Sequence, residues 1–335
     1  MKILQITYSL SSGGAERLSV ELSNQLAEMG HEVYLCVIRD LSEAEHNFYL
    51  PELLPSVNII NLKIPKGFSF RYFFALYRTI AEVSPDVVHT HLNIIRYIFF
   101  IRPFFPRLRF VHTIHNDAPK EVDSRLEWLV CRIFFSQHWI EAVTISDETS
   151  QSFVHYYGVQ PAFQIHNGRS KVKKSPAYQE TFNYIQSLKK TPSTVTLLHV
   201  ARFAPQKNQQ LLVNVVNQLA REGHDLQLII VGGGFDSQDA QPLRAVSGPA
   251  IHFAGMRLNV GDYYFAADGF CLSSLYEGMP ISLIEAWCCG CIPVCTPVGG
   301  CRGLINNGEN GFLSADCSEK AYYDAVLRFL REYKS

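Results

Sequence analysis

Short β-branched segments alternate with longer amphipathic segments along the whole chain, and this alternation constrains the fold more than any other feature. The first half begins with the strand pattern KILQITYSL and continues with the helix pattern AERLSVELSNQLAEMG, which ends at Gly30. The second half begins with TVTLLHVAR and continues with KNQQLLVNVVNQLAREG, which ends at Gly223. Strand–helix alternation is typical of a parallel sheet with helices on both faces. The pattern therefore predicts an α/β chain with two doubly wound, Rossmann-like parallel sheets.

A polar, basic segment separates the two series. We interpret residues 169–193 as a linker with a short helix, because they contain two prolines and a cluster of lysines. This predicts an N-terminal domain over 1–168, a C-terminal domain over 194–317 and a closing helix over 318–335 that packs on either domain. Open α/β sheets bind ligands at the carboxyl ends of their strands. Two such domains facing a central cleft would hold a nucleotide in one domain and a second substrate in the other.

The composition excludes several classes of protein. Of the 335 residues, 47% are hydrophobic and 18% are charged, which indicates a globular chain with large cores, and the net charge of −1 argues against bulk binding of nucleic acid. The nine cysteines fit no common zinc-ligand spacing, and Lys2 is followed at once by a strand pattern rather than a signal peptide. We therefore expect free thiols in a cytoplasmic protein without a metal site. No apolar run is long enough to cross a bilayer.

Two glutamates, Glu277 and Glu285, lie eight positions apart in the segment EGMPISLIEA. Glu277 precedes Pro280, which suits the first turn of a helix, and Glu285 then falls about one turn into that apolar helix. A carboxylate among apolar neighbours is costly to desolvate unless it accepts hydrogen bonds, which the vicinal hydroxyls of a ligand would donate. The alternative is a glutamate favoured by the helix dipole together with a second one that is salt-bridged in the core.

Two cations, Arg202 and Lys207, lie in the segment ARFAPQKN between a predicted strand and a predicted helix. This position is the carboxyl end of a strand, where Arg and Lys side chains suit a diphosphate, the first as a fork of donors and the second as a point charge. The alternative is a pair of solvated loop cations.

A glycine pair, Gly13 and Gly14, lies between the first strand and the first helix in SSGGAER. Glycines let backbone amides approach a ligand, and a helix N-terminus favours an anion. The pair alone is weak evidence, because the full G-x-G-x-x-G fingerprint and the Walker A pattern are both absent from the sequence.

Four histidines end two neighbouring predicted strands: His89, His91, His112 and His115. Carboxylate or cysteine partners at ligand spacing are missing, so a metal site is disfavoured. We expect His115 to contact a substrate hydroxyl and the other three to be hydrogen-bonded parts of the scaffold.

Taken together, these segments resemble glycosyltransferase family 4, the retaining, nucleotide-sugar-dependent enzymes of the GT-B fold. The resemblance rests on GGAER, PDVVHTH, HTIHN, ARFAPQKN, VGGG and above all EGMPISLIEA, which occur in this order over nearly the whole chain. It is strongest to bacterial enzymes that build O-antigen, capsule or exopolysaccharide. It implies metal-independent transfer of a sugar from a nucleotide-diphosphate sugar to a hydroxyl of a saccharide acceptor, including lipid-linked ones, without a cofactor.

The resemblance also implies roles for individual residues. Arg202 and Lys207 would hold the donor diphosphate, Glu285 would accept hydrogen bonds from the ribose, Glu277 would face the transferred sugar, and His115 would contact that sugar. The other donor-binding positions that it implies contact the phosphate, the sugar or the base: Gly13, Gly14, Met256, Arg257, Gly278, Met279, Pro280 and Ile281.

Residues 63–109 combine arginines with aromatic side chains. They contain eight basic residues and two acidic ones, a net charge of +6, in segments such as FSFRYFFALYR and RYIFFIRPFFPRLRF. This combination suits the surface of an anionic membrane, and a buried aromatic helix with snorkelling arginines is the alternative.

Two other functional classes remain compatible with the sequence. One is an enzyme with two similar domains, such as a nucleotide-sugar epimerase or a phosphorylase, and the latter would need a Schiff-base lysine for pyridoxal phosphate. The other is a non-catalytic binder of sugar nucleotides, which would bind the donor without turnover.

Overall fold

The computed structural model describes residues 1–65 and 70–333, which form two compact units that divide between Asn167 and Gly168. Lys66, which contributes to the predicted basic segment, and the last two residues of the predicted closing helix lie outside the described residues. Each unit is built on one parallel sheet with helices on its two faces. The predicted α/β class, with two Rossmann-like doubly wound parallel sheets, is confirmed.

The first unit contains a seven-stranded sheet in the order β3-β2-β1-β4-β5-β6-β7. Its strands are β1 (Lys2–Thr7), β2 (Glu32–Val37), β3 (Asn58–Asn61), β4 (Val87–His91), β5 (Arg109–Ile114), β6 (Glu141–Thr144) and β7 (Phe163–Gln164). Its helices are α1 (Gly14–Glu28), α2 (Phe70–Val83), α3 (Ile95–Ile101), α4 (Arg125–Ser136) and α5 (Asp147–Tyr157). The strand order reverses between β1 and β4, which are paired in register from Ile3 with Val87.

The second unit contains a six-stranded sheet in the order β10-β9-β8-β11-β12-β13. Its strands are β8 (Val195–Val200), β9 (Leu226–Val231), β10 (Ile251–Gly255), β11 (Gly269–Leu272), β12 (Ile292–Cys295) and β13 (Phe312–Leu313). Its helices are α6 (Tyr178–Ser187), α7 (Gln209–Arg221), α8 (Gln241–Val246), α9 (Val260–Ala266), α10 (Ile281–Cys288), α11 (Gly300–Leu304) and α12 (Glu319–Glu332). Here the order reverses between β8 and β11, and such switch points are where open α/β sheets bind ligands.

The two segments at the borders of the predicted C-terminal domain pack within the second unit. The predicted linker contains α6, whose Ile185 is fully buried and lies in the core formed with Leu198 and Ile229. The closing helix α12 buries Tyr322 and Phe329 in the core on the other face of the same sheet. Both segments are therefore part of the folded unit that bears the predicted donor site.

Candidate active site

Three neighbouring strands of the second unit end at one edge of its sheet, and the loops that follow them bear the predicted donor-binding residues. The loop after β8 contains Arg202 and Lys207, and the loop after β11 contains Glu277. The loop after β12 ends at Gly299, and Gly300 is the first residue of α11. Because parallel strands present their carboxyl ends on the same side, residues about 70 positions apart in sequence become neighbours.

The ammonium group of Lys207 forms an ion pair with Glu277. Lys207 Nζ lies 2.6 Å from Glu277 Oε1, and the hydroxyl of Ser274 donates a second hydrogen bond of 2.5 Å to the same oxygen. The Glu277 residue is only 6% exposed. A buried carboxylate of this kind is stable because a cation and a hydroxyl donor both satisfy it. Arg202 lies on the same loop as Lys207, and its side chain is exposed.

Three hydrogen bonds to backbone carbonyls join the loop of the cations to the loop of the carboxylate. Leu275 N donates to Gln206 O at 2.8 Å, Gln206 Nε2 donates to Tyr276 O at 2.9 Å, and Ser273 Oγ donates to Lys207 O at 2.9 Å. These bonds fix the position of Lys207 relative to Glu277. Preorganised groups of this kind need little rearrangement when a charged ligand binds.

A glycine pair after β12 packs directly against the backbone of the loop that bears Glu277. Gly300 N donates to Gly278 O at 2.6 Å, and Gly299 has a φ of +45°. A Cβ at Gly299 would lie inside 3.0 Å of the Glu277 carbonyl oxygen, a distance that real Cβ atoms do not adopt. Only glycine therefore allows this close approach of two backbones.

The VGGG segment after β9 packs in the same way against the backbone of the loop that bears Arg202 and Lys207. Gly232 has a φ of +153°, and a Cβ there would overlap the carbonyl of Ala201, next to Arg202. Phe203 N donates to Gly233 O at 2.8 Å, which ties the two loops together. Met256 lies near Gly233 and is exposed. Its neighbour Arg257 donates through Nε to Ala254 O at 2.9 Å, so both predicted base-contacting residues lie at this edge of the sheet.

Glu285 has a partner that the sequence analysis did not identify. Arg169 Nε lies 2.8 Å from Glu285 Oε1, and both side chains are largely buried, at 9% and 12% exposure. Glu285 also lies beside the fully buried Tyr264, whose pKa is raised well above its usual value by burial first and by this carboxylate second. Glu285 therefore matches the salt-bridged alternative in this structure, and its predicted contact with ribose stays a prediction.

The predicted phosphate contact at Gly13 and Gly14 has an acidic neighbour. The Glu16 carboxylate folds back over the N-terminus of α1, close enough that a Cβ at Gly13 would overlap it, and Ser11 Oγ donates to Glu16 Oε1 at 3.3 Å. A carboxylate is the anion that a helix N-terminus favours. The predicted role of the glycine pair in binding phosphate stays a prediction.

The four histidines that the sequence places at the ends of two strands are hydrogen-bonded to neighbours near the carboxyl ends of β4 and β5. His89 Nε2 lies 2.7 Å from Thr113 Oγ1, and His112 Nδ1 lies 2.9 Å from Thr90 Oγ1. Burial lowers the pKa of each histidine, to about 4 for His89 and to about 3 for His112. These two residues fit the expected scaffold role.

The buried carboxyl group of Glu121 completes this cluster. Its Oε1 accepts hydrogen bonds of 2.9 Å from the backbone N–H groups of His115 and Asn116, and Oε2 lies 3.9 Å from His112 Nε2. Burial raises the pKa of Glu121 to about 7. The two backbone hydrogen bonds fix the start of the loop that bears His115.

Acid is expected to destabilise the protein through these histidines. His112 and His115 titrate at about 3 in the folded chain because of burial, against 6.5 for an ordinary histidine pKa. Between these values the unfolded chain binds more protons, so the free energy of unfolding falls as the pH is lowered, by about 2 kcal/mol per histidine from pH 6.5 to 5. Glu121 affects the free energy of unfolding in the opposite direction. Its raised pKa stabilises the folded chain at low pH, and this stabilisation is lost as the pH rises from 4.5 through about 7.

Unfolding in urea at several pH values between 5 and 7 checks this expectation. The variant His112→Gln should show a shallower loss of stability in acid, and His155→Gln, at an exposed position of α5, should follow the native protein. An equal slope for His112→Gln and the native protein would show that the buried histidine is not the source of the acid sensitivity.

All nine cysteines are free thiols, and among the described residues none of them belongs to a group of side chains that could share a metal ion. Of the seven cysteines in the second unit, Cys271, Cys291, Cys295 and Cys301 are buried and Cys289 is partly buried. Within residues 1–65 and 70–333, the group of side chains close enough to share a metal ion is the surface set Glu43, Glu45 and His46. It contains none of the residues predicted for the site.

Two family models match the chain. The model described as "Glycosyltransferase Family 4" matches residues 12–170, and the model described as "Glycosyl transferases group 1" matches residues 194–332. The two matches follow the two structural units in order.

Curated relatives and solved structures are similar over most of the chain. A UDP-Gal:alpha-D-GlcNAc-diphosphoundecaprenol alpha-1,3-galactosyltransferase of Escherichia coli is 24% identical, over 86% of this chain and 76% of its own length. An N-acetyl-alpha-D-glucosaminyl L-malate synthase of Bacillus anthracis is 25% identical, over 98% and 87%. The crystal structure of Anabaena HepE in complex with UDP-glucose has a TM-score of 0.80 at 19% identity, over 100% of this chain and 91% of that one.

Proposed function

This chain belongs to glycosyltransferase family 4 and is a glycosyltransferase, and on that basis we propose that it is a retaining, metal-independent enzyme of cell-surface polysaccharide synthesis. In this proposal it transfers a sugar from a nucleotide-diphosphate sugar to a hydroxyl group of a saccharide acceptor, including lipid-linked saccharides. The observation on which the proposal depends is the Lys207–Glu277 pair at the switch point of the second sheet, with Arg202 on the same loop.

Two relatives support the classes of donor and acceptor. The Escherichia coli relative is named for a UDP-galactose donor and a diphosphoundecaprenol acceptor, and HepE was crystallised with UDP-glucose. In this chain the second unit would bind the nucleotide. Arg202 and Lys207 would face the diphosphate, and Glu277 would face the sugar.

The reaction breaks the bond between the anomeric carbon and the donor phosphate and forms a bond from that carbon to the acceptor oxygen. Positive charge develops on the sugar and negative charge on the leaving diphosphate. Arg202, Lys207 and the backbone N–H groups of Gly278, Met279 and Ile281 would offset the negative charge, which is our reason for proposing transfer without a metal ion or cofactor. The leaving phosphate would accept the proton of the acceptor hydroxyl, on the same face of the sugar.

Glu277 would stabilise the positively charged sugar rather than attack it. Its Oε1 already accepts from both Lys207 and Ser274, and these two contacts lower the nucleophilicity of the carboxylate. Incubation with a slow fluorinated donor followed by mass spectrometry tests this step. A sugar covalently attached to Glu277 would contradict it.

A thermal-shift panel of UDP-, GDP- and ADP-sugars, followed by transfer assays with the best binder, tests the function. A true donor should raise the melting temperature by mass action. Acceptors should include free and undecaprenyl-linked saccharides, and NMR of the product gives the anomeric configuration. Inversion of that configuration would contradict the retaining mechanism, epimerised donor without transfer would favour an epimerase, and donor binding without turnover would favour a non-catalytic binder.

The first unit exposes an aromatic and basic surface, defined here by α2, α3 and the segment that follows α3. Phe74, Phe100 and Phe104 are each 60% exposed or more. The basic residues that are exposed on the same segments are Arg71, Arg78, Arg107 and Arg109. Aromatic rings flanked by arginines suit an anionic membrane surface, and we propose a peripheral location on the cytoplasmic face of the plasma membrane. Among the described residues, no helix is both long and apolar enough to span a bilayer.

Binding to anionic vesicles is the expected result for this surface. The protein should sediment with phosphatidylglycerol vesicles at low salt and be released by high salt, because the charge contribution is screened. The double variant Phe74→Ser/Phe104→Ser should bind several-fold more weakly. Met29→Ser, which removes an equally exposed apolar side chain after α1, should bind like the native protein. The same sedimentation for all three proteins, or none at low salt, would contradict the proposed surface.

A further inference from the structure

Three side chains of the first unit form a continuous hydrogen-bonded chain that ends at His115. Gln5, in the central strand β1, places Oε1 2.9 Å from His91 Nε2, and His91 Nδ1 lies 3.0 Å from His115 Nε2. Gln5 and His91 are fully buried, and His115 is 8% exposed. The ring of His89 contacts that of His91 at a tilt of 41°, with 4.3 Å between ring centroids.

Both histidines are neutral at ordinary pH. Burial lowers the pKa of His115 to about 3 and holds that of His91 well below its usual value, and the neighbouring histidines add to the effect on His91. A neutral imidazole has one N–H donor and one bare nitrogen that accepts. Each contact in the chain therefore pairs one donor with one acceptor, and the direction of the whole chain depends on the group that Gln5 presents to His91.

The structure orients Gln5 with its amide oxygen towards His91, and the buried amide nitrogen has no hydrogen-bond partner among the described residues. In this orientation the oxygen determines the direction of the chain. An amide oxygen only accepts, so His91 must donate through Nε2 and is left with a bare Nδ1. His115 must then donate through Nε2 to that nitrogen. The second nitrogen of His115, Nδ1, is left without a proton.

We propose that Gln5 and His91 act as positioning residues that hold His115 in the tautomer with an unprotonated Nδ1, so that His115 accepts a hydrogen bond from a substrate hydroxyl and does not donate one. This inference deepens the proposed function and rests on it for the identity of the substrate. In this tautomer His115 binds a sugar that donates a hydrogen bond through a hydroxyl group. It does not bind a ligand that has only an acceptor at that position.

The backbone beside His115 is fixed independently of the ring. Glu121 Oε1 accepts from the N–H groups of His115 and Asn116, both at 2.9 Å. With its backbone held by Glu121 and its Nε2 held by His91, the ring has a single orientation. The direction in which Nδ1 can accept is therefore set before a ligand binds.

Nitrogen-15 NMR of the histidine-labelled full chain tests the inference directly, because the protonated and bare nitrogens of a neutral imidazole have well-separated shifts. Signals are assigned by their loss in His91→Gln and His115→Gln. The expected result for the native protein is protonated Nε2 and bare Nδ1 in both histidines. A protonated Nδ1 on either ring overturns the inference without need of any variant, and it would do so even if the enzyme is active.

A variant pair then tests the role of Gln5. Gln5→Met removes the acceptor at similar volume, and His115 should then show a mixture of tautomers and a loss of about 3- to 10-fold in kcat/KM for the donor, the effect of one hydrogen bond. Thr113→Val removes the buried partner of His89 and leaves the chain of three intact, so the His115 shifts should not change. Unchanged His115 shifts in a folded Gln5→Met protein overturn the inference. The expected tautomers in a protein that transfers no sugar would contradict only the proposed function.

Discussion

Replacement of Lys207 by glutamine is expected to lower kcat for sugar transfer by about 10²- to 10³-fold, or about 2.7–4 kcal/mol in barrier, the effect of removing one preorganised donor at a developing negative charge. Lys207 is expected to act on the leaving diphosphate, and its ammonium group also neutralises the buried Glu277 at 2.6 Å. The variant loses both effects. Steady-state kinetics with the donor varied at saturating acceptor give kcat and KM separately, and a loss mainly in kcat is expected.

Two further variants separate charge from folding. Lys320→Gln removes an exposed lysine of α12 in the same unit and should keep full activity. Glu277→Gln combined with Lys207→Gln removes both charges of the pair, so the melting temperature should recover towards that of the native protein while activity stays low. Near-native kcat in a correctly folded Lys207→Gln protein would mean that this lysine does not stabilise the leaving group.

Replacement of Gly299 by alanine is expected to disable the site through its backbone. The φ of +45° is strained for alanine, and the added Cβ would overlap the Glu277 carbonyl, so the loop after β11 must move. Strained backbone of this kind costs about 1–3 kcal/mol even before the overlap is counted. Since Glu277 shifts with its carbonyl, we expect transfer to fall at least 100-fold, because small misplacements of catalytic groups have effects of this size.

Gly290→Ala isolates the conformational part of this effect. Gly290 has a φ of +74°, and a Cβ there would meet no atom within 4 Å. This variant should lose about 1 kcal/mol of stability, near the cost of a left-handed residue, and keep its activity. Melting temperatures and kcat for both variants decide the matter, and equal activity in Gly299→Ala and Gly290→Ala would exclude a supporting role for Gly299.

The architecture could be predicted from the sequence because the longer strands and helices of a doubly wound unit each have a local pattern. Strands β8 and β9 were predicted from TVTLLHVAR and DLQLIIVGGG, and helix α7 was predicted from KNQQLLVNVVNQLAREG. The two-residue strands β7 and β13 were not predicted, because a strand of that length has no periodicity to detect. Helices α3, α5, α8, α9 and α11 were missed as well. The aromatic run around α3 alternates too little between polar and apolar residues to show which face is buried.

Within the site, residue types were easier to predict than their partners. Glu277 and Lys207 were recognised separately, and their ion pair depends on the adjacency of β8 and β11, which is a property of the sheet and not of any local segment. Arg169 was assigned to a linker, since nothing near it in sequence points to Glu285. Gly299 and Gly300 had a usable signal, a glycine pair directly after a strand, which is where a close backbone approach is common.

In the first unit, the partners of the histidines were likewise harder to predict from the sequence than the histidines themselves. Strand alternation predicts that His89 and His91 share a face of β4, and that His112 and His115 share a face of the next strand only if that strand bends. His115 follows the end of β5 and does contact His91. Its connection to Gln5 arises because β1 lies beside β4, with Gln5 level with His89. A glutamine in a central strand would otherwise be interpreted as an isolated buried polar residue.

The central claim is that Arg202 and Lys207 bind the diphosphate of a nucleotide, and isothermal titration of the full chain tests it most directly. The ligand is whichever of UDP, GDP and ADP stabilises the protein most, and the proteins are the native chain, Arg202→Gln and Arg221→Gln, which removes an exposed arginine at the end of α7. A charge-assisted hydrogen bond contributes about 1.5–3 kcal/mol, so Arg202→Gln should raise Kd by about 10- to 100-fold, and Arg221→Gln should leave Kd unchanged. The same Kd for all three proteins would contradict the account.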